Sequence, residues 1–141
     1  MHPIGRATAE VAHATVPAMV APSLRSGAAA EALAAEYLKS QGLILLARNL
    51  RSRCGELDLV GLDGEVLVIV EVRQRGSRDF GGALASVTWR KQRRLIRAAR
   101  FEWQRRPAWR TRTVRFDVVA LQGRLDGAPA FEWIKDAFGC A

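Results

Sequence analysis

Two rhythms of apolar residues alternate along the chain. Within residues 23–40, Leu33, Tyr37 and Leu38 recur among alanines at helical spacing. Ser23 or Ser26 suits the N-cap of that helix, and Gly42 suits its C′ position. An apolar run at 43–47 then reads as a strand, and two more follow at 56–62 and 65–73. Asp63-Gly64 between the last two is a strong hairpin signal. Residues 74–86, with Gly76, Gly81 and Gly82, read as a polar loop. A second helix is predicted from Ser86 or Thr88 to about residue 106, ahead of Pro107. Strands at 114–121 and, after an Asp126-Gly127 turn, at 131–134 complete the order α-β-β-β-α-β-β. That order predicts a single α/β (α+β) domain whose central mixed β-sheet is flanked by helices. Residues 23–141 form this expected domain, and residues 1–22 read as a mobile N-terminal extension with room for a short helix.

Pairing within the predicted hairpin gathers acidic residues. A two-residue turn at Asp63-Gly64 sets Leu62 opposite Glu65, so Leu57 faces Val70 and Leu59 faces Val68 on one apolar face. Glu56, Asp58, Glu71 and Arg73 then project from the other face. Asp58 and Glu71 become diagonal neighbours, their Cα atoms roughly 7–8 Å apart. Residues 66–70 are apolar on both faces, the mark of a central strand, and charge begins abruptly at Glu71. Geometry alone leaves two readings open. The carboxylates hold a divalent cation such as Mg²⁺, which takes one or two carboxylates and leaves its other positions to water and phosphate oxygens. Otherwise they are solvated, or paired with Arg51, Arg53 and Arg73.

Charge sharpens this picture. The 141 residues carry a formal +8. Residues 90–115 hold eleven basic residues against one acid, a net +10, which leaves −2 on the rest of the chain. On the predicted second helix, Trp89, Gln92, Ile96, Ala99 and Trp103 share a face, with Leu95 beside them. Arg93, Arg97 and Arg100 form a separate stripe flanked by Arg90 and Arg94. Like charges this dense repel one another, and a phosphate backbone relieves them while releasing counterions. Nucleic acid is therefore the expected partner, read by shape and backbone because nothing points to base-specific contacts. Trp89, Trp103 and Trp109 read as core or edge packing in preference to base-stacking platforms.

Several classes drop out. The apolar content of 49% is too high for a disordered basic tail. No run approaches the roughly 18 apolar residues of a membrane span, so no membrane partner is expected. Pro3, Glu10, His13 and Pro17 interrupt any secretory leader in residues 1–22. The only histidines are His2 and His13, which removes imidazole chemistry from the expected domain. Cys54 and Cys140 stand far apart without a nearby His, so they read as free thiols in a cytoplasmic protein rather than zinc ligands.

Gly27 to Glu31 as G-x-x-x-E, Tyr37-Leu38, Arg48-Asn49, Gly55 to Val60, and Val70 to Arg73 form ordered blocks. With Val87, Lys91 and Arg94, and Arg115 to Val119, they resemble the YraN family of small bacterial proteins over about residues 24–121. The resemblance implies a fold similar to restriction-endonuclease-like nucleases, including archaeal Holliday-junction resolvases. In that superfamily the metal site is an acid followed by Glu-x-Lys on the next strand, with a helix Glu in the resolvase branch. Carried over, Asp58 matches the first acid, Glu71 the second, Arg73 the lysine position and Glu31 the helix acid.

That correspondence implies Mg²⁺ or Mn²⁺ on Asp58, Glu71 and the Val72 carbonyl, catalysis by Glu31, Asp58, Glu71 and Arg73, and Glu56 as an accessory acid. Nucleic-acid contacts fall to Arg75, Arg90, Lys91, Arg93, Arg94, Arg97 and Arg100. Arg73 is the departure: a guanidinium stays protonated, so it can hold a phosphate but cannot act as a base. The expected function is metal-dependent endonuclease action on branched or structured DNA. The alternatives are a nucleic-acid-binding module with weak or absent catalysis, or a protein-interaction subunit. The resemblance also implies a homodimer, for which Trp109, Trp133 and Phe138 are the candidate contacts.

Overall fold

The strand that is apolar on both faces is the centre of the sheet. The computed structural model describes residues 9–13, 26–75, 82, 84–124 and 127–139. In chain order its elements are β1 (Ala9–His13), α1 (Ser26–Ser40), β2 (Ile44–Ser52), β3 (Gly55–Asp63) and β4 (Val66–Arg75). They continue with α2 (Trp89–Arg105), α3 (Pro107–Arg110), β5 (Val114–Gln122) and β6 (Ala130–Phe138). The strands lie in the order β1-β6-β5-β4-β3-β2. All pairs are antiparallel except β4 with β5, which makes the sheet mixed.

The predicted order of elements is observed, with two additions. Residues 9–13, expected within a mobile extension, pair as an edge strand with β6. The short helix α3 follows Pro107, which suits the first turn of a helix because it lacks the N–H that has no partner there. The edge strand β2 also runs five residues beyond the predicted end at Ala47. Its exposed Arg48 and Arg51 gave a polar pattern that hid the extended backbone. Cys140, His2 and most of the 74–86 loop lie outside the described residues.

Each sheet face has one long helix, and the short α3 joins α2 on the second. On the first, α1 packs Leu33, Tyr37 and Leu38 against Leu59, Val68, Val70, Val119, Leu121 and Phe131. Tyr37 stacks on Phe131 at 4.4 Å and meets Trp133 edge-on at 6.5 Å. The end of α1 is a Schellman motif, with Gly42 at φ +100° and bonds from Gly42 N to Lys39 O and Leu43 N to Leu38 O. On the second face, α2 packs Leu95, Ala98 and Ala99 against Leu57, Val60, Leu67, Ile69 and Val118. Thr88 caps α2 by accepting the Lys91 N–H at 3.2 Å.

The far side of the sheet is locked by a buried carboxylate. Asp117 is inaccessible to solvent and accepts hydrogen bonds from Arg115 Nε and Nη2, Trp133 Nε1 and the Asp136 N–H, all at 2.9 Å. Arg115 also reaches Asp63 at 2.9 Å, joining β5 to the β3–β4 turn. Removing a partner from such a network leaves buried charge uncompensated. Asp117→Ala is therefore expected to cost about 3–5 kcal/mol, read as a fall in urea midpoint at unchanged slope. A loss below about 1 kcal/mol would contradict the assigned lock.

Candidate active site where two strands part

The β3–β4 hairpin pairs Asp63 with Val66 and continues to Leu59 with Val70, where its ladder ends. This corrects the predicted register by two residues. Gly64 takes the first central position of the turn at φ +63°, so the turn is Gly64-Glu65 rather than Asp63-Gly64. The shift is even, so residues of β4 keep their faces. Continued one step, the register sets Asp58 opposite Glu71, closer than the predicted diagonal. No backbone bond forms there. The Val72 N–H instead donates to Asp58 Oδ2 at 3.0 Å, so the carboxylate satisfies a group that the parting strands leave without a partner.

A second irregularity brings both faces of the sheet to this point. Asn49 stands at φ +51° in β2, between the pairs Arg48–Leu59 and Leu50–Leu57, and so opposite Asp58. Leu57 packs with the α2 side while Leu59 packs with the α1 side. Strict alternation thus breaks at Asp58, and the predicted single face holding Leu57 and Leu59 is corrected. Glu31 approaches Asp58 from α1, and Glu71 approaches it from β4 on the α2 side.

One carboxylate oxygen each from Glu31, Glu56 and Asp58 lies within 4.8 Å of the others. Glu71 is outside that triplet but adjoins Asp58 closely enough for the Asp58 charge to act on it. Its Oε2 lies 3.5 Å from both Arg73 Nη1 and Lys91 Nζ. Arg73 is further held by its Nε–H to Ser86 Oγ at 3.1 Å. Glu56 is exposed and pairs with Arg51 at 3.4 Å, while Arg53 lies over the Phe101 ring. The pairings left open by the sequence therefore involve Arg51 and Arg73, but not Arg53. Lys91 belongs beside the acids, and Asn49, which hydrogen-bonds Glu31, was given no role. Its type was the available signal, since Asn tolerates the left-handed region.

Two buried oxygens, Glu31 Oε1 and Glu71 Oε1, have no hydrogen-bond donor. Burial first, and then the charge and hydrogen bonding of Asp58, push Glu31 and Glu71 each up to about 7. Beside them is a cavity of about 260 Å³ lined by Gly55, Glu56, Asp58, Lys91, Arg94 and Leu95. Gly55 has φ +138°, and a Cβ there would meet Ala98 at 3.5 Å, so the hairpin approaches α2 on bare backbone.

The remaining predicted contacts divide. Arg90, Arg93, Arg94, Arg97 and Arg100 are exposed along α2, and Arg75 ends β4. Arg106, Arg112 and Arg115 instead pair with Glu102, Glu65 and Asp63, so part of the basic segment is structural. The predicted apolar face of α2 is rotated: its buried residues are Leu95, Ala98, Ala99 and Glu102, whereas Trp89 is 70% exposed. Trp109 and Trp133 are buried within this chain, and Phe138 stacks on Phe116 at 5.2 Å. Two of the three expected dimer contacts are thus core residues.

The raised carboxyl groups fix a pH dependence. Their folded-state values lie above the ordinary 4.5, so the folded chain holds these protons more tightly than the unfolded one. Their contribution to stability is complete below about pH 4.5 and is lost as pH rises through about 7. Asp58→Asn removes the central charge and keeps an acceptor for Val72. Without divalent cations, its stability relative to wild type is expected to rise over that interval. A difference independent of pH, in urea titrations of both proteins, would contradict this.

Among the described residues no helix is long and apolar enough to cross a membrane. Residues 30–121 match the model of the uncharacterised protein family UPF0102. A UPF0102 protein of Pseudomonas putida (strain GB-1) is 53% identical over 116 residues, covering 82% of this chain and 94% of that protein. One of Pseudomonas entomophila (strain L48) is 52% identical over 115 residues, with the same coverage of both. One of Pseudomonas syringae pv. syringae (strain B728a) is 46% identical over 114 residues, or 81% of this chain and 93% of that one. With the motif blocks from Gly27 to Val119 in order, the chain belongs to UPF0102, the YraN family.

Proposed function

We propose that this protein is a divalent-cation-dependent endonuclease acting on structured or branched DNA. One observation carries the reading: Glu31 and Glu71 converge on Asp58 from both sides of the sheet, and Asp58 with Glu56 lines a cavity whose other wall is Lys91 and Arg94. An unmatched carboxylate cluster excludes phosphate, and a cationic cavity attracts it. A divalent cation reconciles the two.

The donor set supports Mg²⁺ or Mn²⁺. All candidate ligands are hard oxygens, two of them buried without a donor, and Glu31, Glu56 and Asp58 are within reach of one ion. Asp58 and Glu71, with the Val72 carbonyl, remain the ligands implied by the superfamily pattern, Glu31 reinforces them, and Glu56 is an accessory. Such an ion supplies activation of water and neutralisation of charge on the phosphate. The chain's own contribution is positioning. Arg73, held by Ser86 and Glu71, presents a fixed fork to one phosphate oxygen. Lys91 and Arg94 receive the flanking backbone in the cavity, and Asp58 is oriented by Val72.

Arg73 also supports a second reading, a nucleic-acid-binding module with weak or absent catalysis, because this guanidinium cannot take a proton. Cleavage of linear, nicked and branched substrates in Mg²⁺ and in Mn²⁺ separates the two. Wild type is expected to cut at least one form, Asp58→Asn to lose cleavage, and Arg73→Lys to gain rate. No cleavage of any form, with binding intact, would overturn the endonuclease and leave the module. Arg94→Ala is expected to weaken binding across sequences and reduce the salt slope of log K by about one. Lys91 is unsuited to that test, because its removal also strips a partner from buried Glu71.

A further inference from the structure

The arginine stripe does not face the acids. At 3.6 residues per turn, Arg93, Arg97 and Arg100 lie about half a turn around α2 from Lys91. They line a separate polar cavity of about 230 Å³ with Trp89, Gln92 and Ile96. The Arg93 guanidinium sits over the Trp89 ring at 4.7 Å from its centroid. One indole face is thus covered by cation, yet the residue remains 70% exposed, so its other face is open. Exposing a large indole forgoes its burial, and this one starts α2 on the side that carries three arginines.

An apolar cavity of about 220 Å³ adjoins this one and shares Ile96 and Arg100 with it. Leu67, Ile69 and Phe116 form part of its lining. Guanidinium groups beside an open aromatic face and an apolar recess match one ligand chemistry: phosphates spaced along a chain, with flat, unpaired bases between them. A duplex offers its phosphates but keeps its bases stacked inside. An acidic peptide offers charge without flat apolar groups.

We infer that the Trp89–Arg93–Arg97–Arg100 face is a second nucleic-acid site that holds a single-stranded segment, with one base stacked on Trp89. It deepens the proposed function, resting on it for the polymer, and makes the substrate class one with unpaired nucleotides near the cut, such as a flap or an open junction. The strand bends around α2, from Lys91 and Arg94 at the acids to Arg97 and Arg100 on the opposite side.

Equilibrium anisotropy without divalent cations tests this, using labelled oligothymidylate and a blunt duplex of equal length at one low salt concentration. Trp89→Ala is expected to weaken oligothymidylate binding roughly tenfold, the scale of one stacked base, and to leave the duplex nearly unchanged. Trp89→Phe is expected to retain most of the affinity. Arg97→Glu is expected to weaken both ligands. Unchanged oligothymidylate binding by Trp89→Ala, or equal losses for both ligands, overturns the inference. So does polyglutamate that competes as strongly as oligothymidylate and is indifferent to Trp89. The cleavage panel keeps the two proposals apart. Trp89-dependent binding without cleavage by wild type sinks the endonuclease alone, and cleavage with Trp89-independent binding sinks the second site alone. Failure to bind oligothymidylate sinks the second site, whatever the cleavage panel gives for the endonuclease.

Discussion

The bond from the Val72 N–H to Asp58 governs the arrangement around it. An antiparallel ladder that continued past Leu59 and Val70 would satisfy Val72 from backbone and leave Asp58 free to swing toward solvent. Because the strands part instead, a half-buried donor needs a partner, and a carboxylate fills the place. The cost is a charge held between Glu31 and Glu71, which raises the proton affinity of both. The acids are thus clustered by a backbone requirement. Side-chain attraction does not draw them together, since like charges oppose it.

Asp117 shows the contrast. It too is a buried carboxylate in the sheet, but Arg115, Trp133 and the Asp136 N–H meet it with four donors. At the other end of the fold Glu71 receives two cations at 3.5 Å on one oxygen, and Oε1 of Glu71 and Oε1 of Glu31 stay unmet. One chain therefore contains a saturated carboxylate site and an unsaturated one. The difference separates a structural lock from a place where something else can bind.

Much of this was legible in the sequence because it depends on local pattern. The double-sided apolarity of residues 66–70 located the central strand, and Gly42 marked the end of α1. The grouping of Asp58 with Glu71 survived an incorrect register because an error of two residues preserves side-chain parity. Features set by tertiary geometry were not legible. The left-handed Asn49 and the switch between Leu57 and Leu59 arise where β2 and β3 bend, and no period of two predicts a break in itself. On α2, apolarity misassigned the buried face. Glu102 is buried beside Arg106, whereas Trp89 faces outward under Arg93. The summed charge of residues 90–115 likewise hid three arginines committed to internal partners.

The parallel pairing of β4 with β5 has a consequence for the order in which the molecule assembles. Its register begins at Leu67 with Val114, so the intervening chain, α2 included, must close before that ladder gains a single bond. The hairpin β3–β4 needs no such closure. The segment that this ladder must close thus carries the self-repelling arginines, and bringing them onto the sheet works against their own field. Counterions ease that step in the absence of any ligand. Ionic strength consequently acts on this protein in opposite senses: it eases the chain's own closure and screens the field that the exposed arginines of the finished surface present.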